Sequence, residues 1–270
     1  FGKKFKADLG DNLEFINFRM LNSGVSAELD LDKISRTGIF KSKILNTNLK
    51  FNFEYDNKKL KISNSFFRSK NIKFNNESFI TFVPFLDVNT NFILEELNFK
   101  IFEKFSSIKF DEFKKVIKKI NSKNIITFKS KNFSRSLIDD FNLQVDLTYG
   151  RLNYKKNFSL AKNLFECEGD LNILEEYPLL YFDCSMIIND KKKLLKKFSI
   201  KTKIDEDILV LKAKGNINIL NNKINFDHIY FNEKSLSKED LRYFKNSFEN
   251  IIFEKSFFGI FDLKKIKNYI

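Results

Sequence analysis

Apolar and polar residues change places at every second position along most of this chain. Val25, Ala27, Leu29 and Leu31 alternate with Ser26, Glu28 and Asp30, and Leu49, Phe51, Phe53 and Tyr55 alternate with Lys50, Asn52 and Glu54. Leu86, Val88, Thr90, Phe92 and Leu94 repeat the pattern against Asp87, Asn89 and Asn91. A period of two sends successive side chains to opposite faces of a sheet, so each segment predicts a strand with one apolar and one wet face. From residue 3 to about 109 the chain reads as a meander of short strands. Its turns are expected at Asp11-Asn12, Asn22-Ser23-Gly24, Asp56-Asn57 and Asn75-Asn76.

At Asp111 the period lengthens. Phe113, Val116, Ile117 and Ile120 stand at the spacing of one face of a short helix. Strands resume near Ile125 and continue through 141–149, 151–154, 164–173, 179–188, 208–213, 216–220 and 224–231. The lysines Lys191–Lys193 predict a turn followed by one helical turn over 194–198. Pro84 and Pro178 fall at strand starts or turns, where a missing N–H costs least.

Ser237 and Asp240 have the spacing of a helix cap, with Leu241, Phe244, Phe248, Ile251 and Ile252 on one face behind it. A further short helix is expected over 260–269, and Phe257, Phe258, Ile260 and Phe261 stand too close together for one stripe. The fold class expected is mostly β: an elongated antiparallel sheet or groove of repeated meanders, a few short helices and a C-terminal helical cap. Its divisions are 1–110, a helical connector 111–122, a second meander 123–232 and the cap 233–270.

Composition sharpens this only in part. Apolar residues make up 43% and charged residues 31% of the 270, the balance of a folded soluble chain. With Phe 34, Gly 8, Pro 2, Trp 0 and His 1, the usage looks like AT-rich coding, which favours Lys over Arg without any function. The net charge of +13 therefore reads first as a lysine-coated sheet face, since the lysines are scattered along the strands. Nucleic-acid binding is the weaker reading and is not expected. No stretch reaches the roughly 18 apolar residues of a membrane span. The chain opens at Phe1 in strand-like sequence, so it reads as a fragment whose upstream anchor or signal lies outside it.

Sites for chemistry are missing. The glycines are isolated, which excludes a P-loop and a dinucleotide fingerprint. His228 stands alone among Phe226, Ile229 and Tyr230, too little for a triad or a zinc centre. The acidic pairs Asp139-Asp140, Glu175-Glu176 and Glu239-Asp240 fall at predicted turns and a helix start, where acids are expected anyway. No catalytic residue, metal or cofactor is assigned.

Cys167 shares its strand face with Phe165, Leu171 and Ile173, and Cys184 shares its face with Leu180, Phe182, Met186 and Ile188. A two-residue loop at Glu175-Glu176 sets Cys167 opposite Cys184, while a loop shifted past Pro178 sets it opposite Met186. A disulfide and two buried thiols both fit this placement.

Residues 59–74 (KLKISNSFFRSKNIKF), 79–85 (FITFVPF), 164–180 and 238–245 (KEDLRYFK) resemble the C-terminal β-repeats of AsmA-like proteins of Gram-negative bacteria. The resemblance covers most of the chain but rests on alternation and turns, without an invariant chemical motif. It implies a periplasmic β groove, tethered to the inner membrane by a segment missing from this chain. The implied work is outer-membrane assembly or phospholipid transport between the two membranes. Partners would be phospholipid or another acyl lipid and the two membrane surfaces.

On that reading the apolar strand faces line a trough for acyl chains, with Phe51, Phe53, Val88, Phe92, Leu143, Val145 and Leu147 as candidate lining. The alternative is a structural or scaffolding β protein whose own helices close the core.

Overall fold

The structure, a computed structural model, describes residues 4–97, 114, 117–129, 138–197 and 208–254. Alternation becomes strands: β1 (Phe5–Leu9), β2 (Phe15–Met20), β3 (Val25–Asp32), β4 (Thr37–Ile44), β5 (Thr47–Tyr55), β6 (Lys59–Arg68), β7 (Ile72–Thr81), β8 (Leu86–Leu97) and β9 (Ile120–Lys129). Then come β10 (Asp140–Thr148), β11 (Arg151–Leu160), β12 (Asn163–Asn172), β13 (Leu179–Ile188), β14 (Leu209–Asn218), β15 (Lys223–Phe231) and the two-residue β16 (Lys234–Ser235). Helix α1 is Lys191–Lys197 and α2 is Lys238–Ser247. The mostly β class of meanders with few helices is what the chain adopts.

The chain divides into two compact units, residues 1–98 with 121–127 and residues 99–120 with 128–270. In the first, β1 to β8 pair antiparallel in chain order. Asx turns make the reversals: Asp32 Oδ1 accepts from the Ile34 and Ser35 amides, and Asp56 Oδ1 from those of Lys58 and Lys59. Next to β8 lies β9. Thr90 Oγ1 donates to Asn124 Oδ1 at 2.8 Å and Thr127 Oγ1 to the Phe92 carbonyl at 3.4 Å, so residue numbers climb together along the two strands. This step is parallel.

In the second unit β10 to β15 pair antiparallel in order, and β16 closes on β15. Ser237 Oγ accepts from the Asp240 amide while the Asp240 carboxylate accepts from the Ser237 amide, so the capping box forms as expected. Behind α2 a π-helical turn, Phe248–Ile252, rotates the stripe. Phe248 and Phe253 face the sheet while Ile251 is exposed, which corrects the expected single face. Glu249 accepts from the Ile224 amide and pairs with Lys223, covering an open N–H of β15.

Several expectations shift. Asn75 and Asn76 are not a turn but lie inside β7, and the reversal is at Ser69–Asn71, where the Ser69 hydroxyl donates to the Ile72 carbonyl. Their partner strand bulges instead. The β6–β7 ladder jumps from Ile62↔Ser78 to Ser65↔Asn76, with Asn64 at φ 47°. Ile120 is not on a helix but opens β9, so strands resume before Ile125; Lys114 and Ile117 are helical, while Phe113 and Val116 lie outside the described residues.

Residues 151–154 are only the start of β11, and 208–213 and 216–220 are one strand. Gly215 sits there because a Cβ would lie 2.0 Å from the Asn225 carbonyl oxygen, not because the chain turns. The lysines at 191–193 belong to α1. The Asp190 carboxylate caps the Lys193 amide at 2.7 Å, and Leu194 docks against Leu160 and Ile188. Phe198 and the expected helix at 260–269, with Phe257, Phe258, Ile260 and Phe261, lie outside the described residues.

Candidate functional site

Register aligns the apolar side chains of the first unit into one face. Leu9, Ile16, Leu29, Phe40 and Phe51 form a row across β1 to β5. The bulge in β6 inserts a residue between Ile62 and Ser65, which restores the parity, so Leu60, Ile62 and Phe67 stay on this face. Phe40 and Phe51 lie 5.1 Å apart, Phe51 and Phe53 6.0 Å, Phe67 and Phe74 5.0 Å and stacked, and Phe74 and Phe92 5.4 Å edge-on. Val88 stands opposite Ile80. The structure therefore brings Phe51, Phe53, Val88 and Phe92 onto one surface.

Gly38, opposite Phe53, leaves space for that ring: a Cβ there would lie 2.4 Å from Phe53 Cζ. A polar band crosses the same face. Ser65 bonds the Asn76 backbone, Ser78 Oγ donates to Asn76 Oδ1 at 2.8 Å, and Thr90 donates to Asn124.

Among the described residues of this unit, none outside the strands packs over the face. Among the described apolar side chains of this unit, Leu94 alone is buried, and helices α1 and α2 both belong to the second unit. Phe51, Phe53, Val88 and Phe92 are each half-buried, flanked by neighbours in the sheet. The opposite face carries most of the charged residues together with Phe15, Ile39, Phe66, Phe79 and Ile93, and has a cleft of about 340 Å3 lined by Arg19, Glu28, Lys41, Lys50 and Phe66 among others. Glu28 accepts from Lys41 Nζ at 2.9 Å, and that bond raises the Lys41 pKa.

The second unit treats its apolar face differently. Phe182, Ile217, Ile224 and Phe253 form one buried cluster with Phe248 on its margin; Ile117, Leu171 and Ile173 form another, and Leu160, Ile188 and Leu194 a third. Ile117, Leu194 and Phe253 come from outside the strands, so segments beyond the strands cover the sheet at three places. Leu147 packs against the cluster of Ile117. Leu143 and Val145 stay half-buried on the same face. Cys167 stands opposite Cys184 with Cα atoms 4.0 Å apart, and the two form a disulfide.

Between these clusters sits a residue that the sequence reading passed over. Lys156 lies on the apolar face, opposite Leu143 on one side and Cys167 on the other. Its Nζ is 4.7 Å from the centre of the Phe158 ring. Among the described residues it has no hydrogen bond or ion pair, whereas Lys155 on the other face reaches Glu168 at 3.7 Å. Burial pushes the Lys156 pKa down.

Tyr154, two residues earlier, crosses β12 over Gly169 to donate to the Tyr181 carbonyl at 3.3 Å. Burial, and then the charge of Asp170, push its pKa up to about 12.

The residues weighed for chemistry stay apart. His228 is exposed, opposite Lys214. Asp139 accepts from the Lys162 amide, Glu175 and Glu176 lie in the β12–β13 connection, and Glu239 and Asp240 occupy the first turn of α2. Among the described residues no group of three or more His, Cys, Asp or Glu could hold a metal ion, and no helix is long and apolar enough to cross a membrane. Compared with protein-family models, with curated proteins and with solved structures, the chain matches none.

Proposed function

We propose that the chain is a non-enzymatic, acyl-lipid-handling β protein whose lipid-bearing surface is the apolar face of the first unit. The observation that carries this is the half-buried aromatic surface running from Phe18 and Phe40 through Phe51 to Phe74 and Phe92, with Leu94 the only buried apolar side chain described in that unit. From β2 to β8 that is seven strands, which at about 4.8 Å spacing make it roughly 30 Å wide. Soluble proteins seldom leave an apolar surface of such extent to water. Acyl chains are suitable occupants because each buried CH2 stabilises by about 0.8 kcal/mol through area alone, without a shaped pocket. The lysines of the opposite face and the net charge of +13 favour an anionic lipid surface nearby.

A phospholipid, carried between the inner and outer membranes from a periplasmic position, is the form of this role that the resemblance to AsmA-like proteins implies. The second reading, a scaffold with a closed core, is favoured by the three filled clusters of the second unit.

The test is lipid extraction and mass spectrometry of the purified chain beside a Phe51→Asp/Phe92→Asp double variant, with circular dichroism to monitor the sheet. Loss of lipid from a folded variant supports the proposal. Unfolding of the variant speaks for a closed core, since two unpaired buried carboxylates would cost several kcal/mol. Lipid retained at the wild-type level removes these positions from the lining, and a wild-type chain without lipid overturns the proposal.

A further inference from the structure

We infer that Lys156 is the counter-charge for the carboxylate of a long-chain fatty acid bound on the apolar face of the second unit. The inference rests on the acyl-lipid reading and names a ligand class for a different part of the chain. A lysine on an apolar face normally bonds a carboxylate or extends its ammonium into water. Lys156 does neither fully: it is half-buried between Leu143 and Cys167, over the Phe158 ring, and among the described residues it has no ion pair or hydrogen bond. The place is not sealed. Leu143, Val145, Lys156 and Phe158 all keep partial exposure, while the clusters of Ile117 and Leu194 to either side are filled.

The surroundings select among anions. The neighbours Leu143, Val145, Phe158 and Cys167 are apolar, and the Tyr154 hydroxyl already donates to Tyr181. A phosphodiester would bring a glycerol ester and a polar headgroup that find no partners there. A fatty acid brings one carboxylate for one ammonium, and methylenes for Leu143 and Val145. A charge-assisted bond of this kind, formed away from water, corresponds to about a ten- to hundredfold preference for acid over neutral ester.

The experiment measures equilibrium binding of palmitate, methyl palmitate and phosphatidylglycerol vesicles to the full chain and to Lys156→Met and Lys156→Arg. The expected result is palmitate binding at least tenfold tighter than methyl palmitate. Lys156→Met should abolish that preference and Lys156→Arg should keep it. Equal binding of acid and ester to the wild type, or a preference that survives Lys156→Met, overturns the inference. Binding of vesicles without palmitate also overturns it but leaves the acyl-lipid reading standing. Failure of all three probes to bind overturns both.

Discussion

Truncating one phenylalanine in each unit separates an open face from a filled one. Phe182 is 9% exposed, packed with Ile217, Ile224 and Phe253 and set edge-on to Phe226 at 5.9 Å. Phe182→Ala removes a buried ring and leaves a cavity under the C-terminal segment, a loss of about 3–5 kcal/mol. Phe51 has rings at 5.1 and 6.0 Å in its own sheet but keeps a water-facing side. Half of a transfer energy of about 1.5–3 kcal/mol gives a loss near 1 kcal/mol for Phe51→Ala, with no cavity contribution because the site is open.

Against a domain stability of about 5–15 kcal/mol the two outcomes are easily told apart. Urea unfolding followed by circular dichroism gives the size of each loss, and hydrogen exchange read by mass spectrometry assigns it to a unit. Equal losses, or a larger loss at Phe51, would refute the contrast between the faces.

Gly169→Ala should cost about 1–3 kcal/mol, because the new Cβ would lie 1.9 Å from the Tyr181 carbonyl oxygen and 3.0 Å from Tyr154 Cε1. Its spectroscopic mark is a fall of the Tyr154 pKa from about 12, read by alkaline absorbance against a Tyr154→Phe control; an unchanged titration and melting temperature count against it. Lys156→Met should raise stability at neutral pH by removing an unpaired, partly buried cation. The folded pKa of Lys156 lies below its unfolded value of 10.5, so its penalty is full below the folded pKa and fades as pH rises toward 10.5. The gain from Lys156→Met should shrink over that alkaline range, and a gain independent of pH would contradict it. Tyr154 runs the other way, its raised pKa lending stability that is lost between about pH 10 and 12. Thiol titration of denatured, unreduced protein should find neither Cys167 nor Cys184 free; two free thiols would refute the disulfide and leave the strand register intact.

Strands were legible because a period of two is a local signal. Of the two registers the sequence allows for β12 and β13, the one with Cys167 opposite Cys184 forms, though residues 173–178 connect the strands rather than a two-residue loop. Bulges were not legible, since Asn64 at φ 47° reads in sequence like any polar residue, and the asparagines at 75 and 76 carried the turn signal in its place. Strand direction is invisible to alternation, so the parallel step between β8 and β9 could not be read. Gly215 and the lysines of α1 misled for one reason: both are chain-breaking or solvated signals locally, and tertiary packing overrode them.

Lys156 was within reach. Alternation from Leu152 places it with Tyr154 and Phe158, on a strand expected to end at Tyr154, two residues short. Open and filled faces carry the same pattern, and what separates them is where Ile117, Leu194 and Phe253 dock.

Photolabelling the full chain with a fatty acid that carries a diazirine at its chain end, followed by mass spectrometry of the labelled residues, locates the lipid-bearing surface. Label is expected on Phe40, Phe51, Phe53, Phe74 and Phe92, which share one face of the first unit. Label confined to the opposite face, around Arg19, Lys50 and Phe66, or no label in the first unit at all, would contradict it.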